Sequence, residues 1–333
     1  MPEAPPTSPK RVAGWLLFLI IVLHLSITSF NYIIVRPGLT QFANGGPPLH
    51  TYGAIPLGQA VFETLQRALP FAIWRFLLSS LALWIVLGLK GYRPVRRSDW
   101  RLILWLAILA IPLNQLPYLI GIGLVPPEHG ALIYATTPVW VLIVARLLLG
   151  EKITPLKLLG IALAFFGVWR VFTEKQVTFD NTLLGDGILV FGVLGWAVYS
   201  VQGKVLTERY GALQTTTLAI SLGSLLFLPV LPWAMLQPHY SQISSLGWIS
   251  LLYMAFLTSA VAYTIWYWLM GQMETAKAAV LQNLQPVFTM LFTAMVVALG
   301  AAPLFNIQEH QITPYFLGAA AMTLAGVFIT QFG

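Results

Sequence analysis

Tyr134-Ala135-Thr136-Thr137-Pro138-Val139, followed by an apolar run to Leu149-Gly150, has a counterpart 148 residues on: Gln282-Asn283-Leu284-Gln285-Pro286-Val287, with a run to Leu299-Gly300. Working outward from the two copies, five apolar segments can be counted in each half. An odd number of spans per copy forces the second to lie upside down relative to the first. Inverted repeats of this kind build alternating-access carriers. The pattern therefore predicts an all-α membrane protein of ten transmembrane helices, arranged as two inverted five-helix repeats around a central cavity.

Composition supports a lipid solvent. Of 333 residues, 58% are hydrophobic and 9% charged, with a mean hydropathy of +0.78. A soluble domain carries about 25% charged residues. The predicted spans are 14–35, 68–89, 101–124, 128–149, 154–173, 183–204, 213–236, 246–269, 276–300 and 313–332. At about 20 residues per span, they leave no separate soluble domain. The expected organisation is a disordered cytoplasmic tail at 1–13, a first repeat at 14–175 and a second at 183–333. Long outer connections are expected at about 36–67 and at 301–313, the latter with Glu309 and His310.

The net charge of +7 could suggest nucleic acid, but its distribution argues against that partner. Lys90, Arg93, Arg96, Arg97 and Arg101 cluster between two apolar segments, as orienting charges do on the cytoplasmic side. With the N-terminus inside, Lys10, Arg11, Arg146, Lys152, Lys157, Lys204, Arg209 and Lys277 join them. The outer side receives only Arg36, Arg67, Arg170 and Lys175. Both termini are thus expected in the cytoplasm, in a bacterial inner membrane. The chain has no cysteine, which removes disulfides and thiolate metal sites. No cofactor and no metal site is expected.

Several of these residues resemble the drug/metabolite transporter superfamily, EamA type. The first half carries Pro138-Val139, an apolar helix, Leu149-Gly150-Glu151-Lys152-Ile153-Thr154, then Gly160 and Gly167. The second half matches at Pro286-Val287, Gly300, Gly318 and Gly326. It lacks the Gly-Glu pair, because Ala301 follows Gly300. Arg75-Phe76 and Trp196-Ala197 also resemble the family. The resemblance implies a ten-helix carrier without ATP hydrolysis. It leaves the cargo open among amino acids, sugars, nucleotide sugars and drugs.

Polar residues inside spans are costly in lipid and usually face a bundle interior or a cavity. Here they fall on helical spacing. His24, Thr28 and Asn31 form one stripe, and Asn114, Gln115 and Tyr118 another. Trp196, Tyr199 and Gln202 form a third, and Ser259, Tyr263 and Trp266 a fourth. Gln282, Asn283 and Gln285, with Tyr134 opposite, complete a candidate substrate path. Arg75 could pair with a substrate carboxylate or phosphate, or snorkel outward to helix carbonyls or Glu128. His24 is a candidate proton site or a neutral wall residue. Asp186, Glu128 and Glu274 read as caps or interfacial pairs. Pro138 and Pro286 are read as mid-depth hinges, each removing a backbone hydrogen bond.

The expected partners are a small-molecule substrate and the lipid bilayer, with protons as a candidate coupling ion. The expected function is a secondary carrier exporting amino acids, aromatic ones included, or similar small metabolites. A sugar-phosphate, nucleotide-sugar or drug carrier of the same fold is the alternative. A phosphate-bearing cargo should call for more buried Lys and Arg than Arg75 alone. An enzyme is disfavoured because no H-E-x-x-H, framed serine nucleophile or paired intramembrane carboxylate occurs. A channel would call for a filter or a charged ring.

Overall fold

A computed structural model describes residues 13–42, 57–124, 133–173, 183–236, 240–305 and 314–333. Every regular element among them is helical, as lipid requires, because helices satisfy their own backbone groups. The first half contains α1 (Gly14–Gln41), α2 (Leu57–Lys90), α3 (Trp100–Ala110), α4 (Leu116–Leu124), α5 (Thr137–Leu149) and α6 (Pro155–Thr173). The second contains α7 (Leu183–Tyr210), α8 (Ala212–Leu225), the short α9 (Leu231–Met235), α10 (Ser245–Leu252), α11 (Tyr263–Gln272), α12 (Thr275–Val280), α13 (Gln285–Ala298) and α14 (Pro314–Gln331). A π-helical turn, Ile111–Gln115, joins α3 to α4. A longer one, Tyr253–Ala262, joins α10 to α11.

Among the described residues, 7 helical runs are long and apolar enough to cross a membrane: Gly14–Leu39, Ala68–Lys90, Arg97–Ile122, Leu184–Tyr210, Ala212–Met235, Ser245–Gln272 and Thr275–Ala298. Ile133–Leu149 and Leu317–Gln331 are shorter apolar helices, and α6 adds 19 residues. The chain is a multi-pass helical membrane protein.

Several boundaries differ from the sequence expectation. The outer connection expected at about 36–67 is narrower, since α1 runs on to Gln41 and α2 begins at Leu57. Tertiary burial outweighs the helix-breaking Pro37-Gly38 pair here. Phe42 is fully buried, with its ring 5.5 Å from that of Phe71. A Cβ on Gly38 would lie 2.5 Å from the Phe71 ring, so the glycine permits the close approach. The run Ala212–Met235 covers the expected span 213–236, changing helix type within it where Pro229 and Pro232 each enter the first turn of a short helix. The tail up to residue 12, Glu128, Glu309 and His310 lie outside the described residues.

The proline hinges also need correction in their mechanism. Pro138 and Pro286 occupy the first turns of α5 and α13. A first-turn N–H has no intrahelical acceptor, so proline is favoured there and removes nothing. The discontinuities lie just before them, at the turn around Thr136 and the 3-10 run Leu281–Leu284. Downstream, Gly150 and Gly300 both adopt left-handed backbone, at φ 70° and 69°. That conformation closes a helix C-terminus at little steric cost to glycine. The doubled motif is thus a doubled local geometry: break, proline, helix, left-handed glycine.

Helices α6 and α14 pack backbone against backbone. A Cβ on Gly160 would lie 2.7 Å from the Gly326 carbonyl oxygen, and one on Gly167 would lie 2.8 Å from that of Ala319. Gly→Ala inside a helix ordinarily stabilises by about 1 kcal/mol. At Gly160 and Gly326 the sign should reverse, by about 1–3 kcal/mol of overpacking. Thermal unfolding of the detergent-solubilised protein should therefore show lower midpoints for Gly160→Ala and Gly326→Ala. Gly318→Ala, where a Cβ meets nothing within 4 Å, should match or exceed the parent.

Candidate functional site

Arg75 sits in the interior of α2 with 1% of its surface exposed. Its Nε donates to Ser259 Oγ at 2.7 Å, and its guanidinium hydrogen-bonds the Tyr263 side chain. The Phe76 ring lies 4.8 Å from the guanidinium carbon, and Nη1 is buried without a hydrogen bond. Among the described residues, neutral hydroxyls and a ring hold the guanidinium inside the bundle; Glu128, the acid of the snorkelling alternative, lies outside them.

Two π turns supply the geometry. A π turn widens the helix and rotates the residues after it, and such turns are frequent at functional sites. Tyr253–Ala262 carries Ser259 and delivers Tyr263 immediately after it. Ile111–Gln115 carries Asn114 and Gln115, both buried. Asn114 Nδ2 donates to the Gly192 carbonyl at 2.9 Å and contacts the Tyr134 hydroxyl at 3.4 Å. Gln115 Nε2 donates to Asn114 Oδ1 at 2.6 Å. Tyr118 meets Tyr134 edge to face at 5.3 Å.

Aromatic side chains adjoin this polar group through Tyr263. His24 stacks on Trp266 at 5.7 Å, Trp266 on Trp196 at 5.6 Å, and Trp196 lies 5.5 Å from Tyr263. Tyr199 lies 6.5 Å from Tyr263 and 5.0 Å from Tyr267. Trp266 Nε1 donates to Ser200 Oγ at 3.0 Å, which fixes the indole's orientation. On the α1 side, Gln285 Nε2 donates to Thr28 Oγ1 at 3.0 Å, and Tyr32 donates to Gln285 Oε1 at 3.4 Å. Thr258 donates to Asn31 Oδ1 at 3.3 Å.

Most of the sequence-selected residues therefore converge. Gln202, Gln282 and Asn283 do not join these contacts; Asn283 is buried, with neither amide atom hydrogen-bonded. Tyr32, Ser200 and Thr258 belong to the cluster although the sequence reading does not single them out. Tyr32 could have been found, because it extends the His24–Thr28 stripe by another four residues. Thr258 and Ser200 carry no comparable signal; only the fold gives them partners.

One end of the bundle is tied by charge. Glu151 Oε1 accepts from the Thr275 amide at 3.0 Å, from the Thr275 hydroxyl at 2.6 Å and from Lys204 Nζ at 3.1 Å. Lys157, 2% exposed, pairs with Glu274 and donates to the Lys152 carbonyl. Glu274 thus serves as an ion-pair partner; it precedes α12 without a side-chain capping bond. Asp99 accepts from Arg209 and from the Tyr210 hydroxyl, each at 2.6 Å. Burial pushes the Glu151 carboxyl up, but Thr275 and Lys204 outweigh it and hold the group below the usual carboxylate range.

The EamA-like transporter family model matches residues 53–173 and again 183–332. The chain belongs to the EamA-like transporter family. The two matched segments contain opposite sides of the Glu151 contacts, so that network crosses from one segment to the other. Among relatives, the chain is 30% identical over 229 residues to YyaM, an uncharacterized transporter of Bacillus subtilis strain 168, covering 67% of this chain and 74% of the relative. It is 29% identical over 194 residues to a probable amino-acid metabolite efflux pump of Escherichia coli K12, covering 55% and 60%. A solved crystal structure superposes with a TM-score of 0.70 at 14% identity, covering 96% of this chain and 98% of that one. That likeness concerns the fold alone.

The Glu151 network gives a pH test. A carboxyl whose folded value is depressed stabilises fully above its unfolded value, near 4.5, and loses that contribution as pH falls through the folded value. Hydrogen bonds to a charged group contribute about 1.5–3 kcal/mol. Thermal midpoints should therefore drop on acidification below about pH 4.5 in the parent. Glu151→Gln should be less stable at pH 7 and should show a shallower acid dependence.

Proposed function

We propose that this EamA-family member is a secondary carrier that exports amino acids, aromatic ones included, or similar small metabolites by alternating access. In this reading, the ten helical passes form two inverted five-helix repeats, with both termini cytoplasmic in a bacterial inner membrane. The biased placement of Lys and Arg supports that orientation. The substrate path runs between the polar and aromatic walls, past Arg75, His24, Asn114, Tyr134, Trp196 and Trp266. Gln202, Gln282 and Asn283 lie toward the cytoplasmic mouth.

The observation that carries the reading is the pairing of a buried polar-aromatic cluster with a cross-segment latch at the Glu151 end. Glu151 ties the first segment to Lys204 and Thr275 of the second. The cluster itself also draws on both segments, since Arg75 meets Ser259 and Tyr263. A carrier needs a site between two bodies whose ends separate in turn. The ion pairs offer a closed state for one end, and the breaks before Pro138 and Pro286 offer places for the helices to bend. The efflux function of a relative supports amino-acid metabolites as cargo.

Counterflow in proteoliposomes, across amino acids, sugars and nucleotides, tests the reading. Saturable exchange with trans-stimulation for amino acids is expected, whereas flux without saturation would point to a channel. Trp266→Ala and Trp196→Ala should each lower exchange by about tenfold or more, in line with the roughly 1.4 kcal/mol that an aromatic contact can supply. The prolines that follow the two helix breaks give a second readout. Proline has no N–H to bond back across the break, so Pro138→Ala and Pro286→Ala should let each break close into continuous helix and slow exchange without preventing membrane insertion; unchanged rates in both would remove the bending role.

A further inference from the structure

We infer that Arg75 forms a carboxylate subsite, so that this carrier selects flat, apolar monoanions and does not require an ammonium group on its cargo. The inference rests on the carrier reading and names the chemistry of its central site. It begins with the balance of charge around one side chain. The guanidinium is buried, yet its contacts are the Ser259 hydroxyl, the Tyr263 hydroxyl and the Phe76 ring. Among the described residues, no carboxylate makes a hydrogen bond or ion pair with it.

The carboxylates that form ion pairs in the described residues are engaged elsewhere. Asp99 pairs with Arg209, Glu151 with Lys204 and Glu274 with Lys157. Arg75 is held at depth by neutral groups alone, with Nη1 still lacking a hydrogen bond. A guanidinium presents five donors in a planar fork matched to a carboxylate. An anion entering here replaces a costly uncompensated charge by a paired one.

Neighbouring side chains narrow the class of anion. Tyr263, whose side chain meets the guanidinium, can donate its hydroxyl proton to one of the carboxylate's remaining lone pairs. The Trp196 ring, 5.5 Å from that of Tyr263, puts aromatic surface beside the guanidinium's tyrosine partner and suits an aromatic or planar apolar body. A phosphate dianion would call for a second cation beside Arg75, and none acts on the guanidinium here. An ammonium group close to the carboxylate would sit beside Arg75 with no acid to offset the repulsion. An amino acid therefore enters through its carboxylate, and loss of the amino group costs it little.

The test uses the full chain in detergent, read by ligand-induced thermal shift and by tryptophan fluorescence. The probes share one ring: phenylacetate, phenethylamine, phenylalanine and phenyl phosphate. Phenylacetate is expected to stabilise the protein at least as strongly as phenylalanine, with phenethylamine at least tenfold weaker. Arg75→Gln should abolish the preference for phenylacetate over phenethylamine, and Arg75→Lys should retain part of it. If Arg75→Gln does not fold, Tyr263→Phe, which keeps the charge and ring, should weaken phenylacetate several-fold and leave phenethylamine unchanged.

Phenethylamine binding as well as phenylacetate, or an acid preference that survives Arg75→Gln, would overturn the inference. Phenyl phosphate as the best ligand would also overturn it. Saturable counterflow of an amine or sugar, without any shift by phenylacetate, would sink the subsite while leaving the carrier intact. Ligand shifts without saturable exchange would sink the carrier reading and keep the subsite.

Discussion

The hydrocarbon of a bilayer offers no partner to a buried charge, and the organisation of this chain follows from how it meets that constraint. A cation or acid placed at the centre of a membrane helix costs about 2.5–3.5 kcal/mol on insertion scales. Among the described residues, three ion pairs avoid that cost by lying at helix ends and tying the bundle across. Glu151 with Lys204, Lys157 with Glu274, and Asp99 with Arg209 are of this kind. Arg75 differs: it is carried to depth and, among the described residues, is met by hydroxyls and an aromatic ring. The same constraint thus yields a tied end and a charged centre.

These two features depend on each other through shared helices. Lys204 lies on α7, which also carries Trp196, Tyr199 and Ser200. Thr275 opens α12, only two elements before α13 and Gln285, whose amide reaches Thr28 and Tyr32. Rearrangement at the Glu151 contacts would therefore shift side chains on the aromatic wall and on the α1 side. Glycine contacts between α6 and α14 also join the two segments, at close backbone approach. The π turns at Ile111–Gln115 and Tyr253–Ala262 place polar groups on the remaining faces.

Much of this was legible in the residues. The Pro-Val and Leu-Gly marks stand out as a doubled motif in sequence, and Gly150 and Gly300 share a backbone conformation that L side chains rarely adopt. Stripes at three and four residues brought His24, Asn114, Trp196, Ser259 and Tyr263 to one cluster. Periodicity could not show the π turns, because an extra residue in a turn changes the face without changing composition. It could not decide the fate of Arg75 either, since that depends on a serine 184 positions away in sequence. Glu151 stands out in sequence as part of a turn, but its partners on α7 and α12 are set by tertiary packing. Pro138 and Pro286 are easily located in sequence and easily misjudged in register, because a first-turn proline and an interior proline look alike before the helix start is known.

The central claim is that the Glu151 end opens and closes while the two segments move about the shared cluster. The chain has no cysteine, so spin labels can be placed without background at Lys152→Cys and Gln272→Cys, on opposite sides of that end. Pulsed electron-electron double resonance in nanodiscs then measures the separation directly. The account predicts two distance populations whose ratio shifts with transported ligand, and a larger share of the longer distance in Glu151→Gln. A single distance, unmoved by ligand and by that substitution, would contradict it.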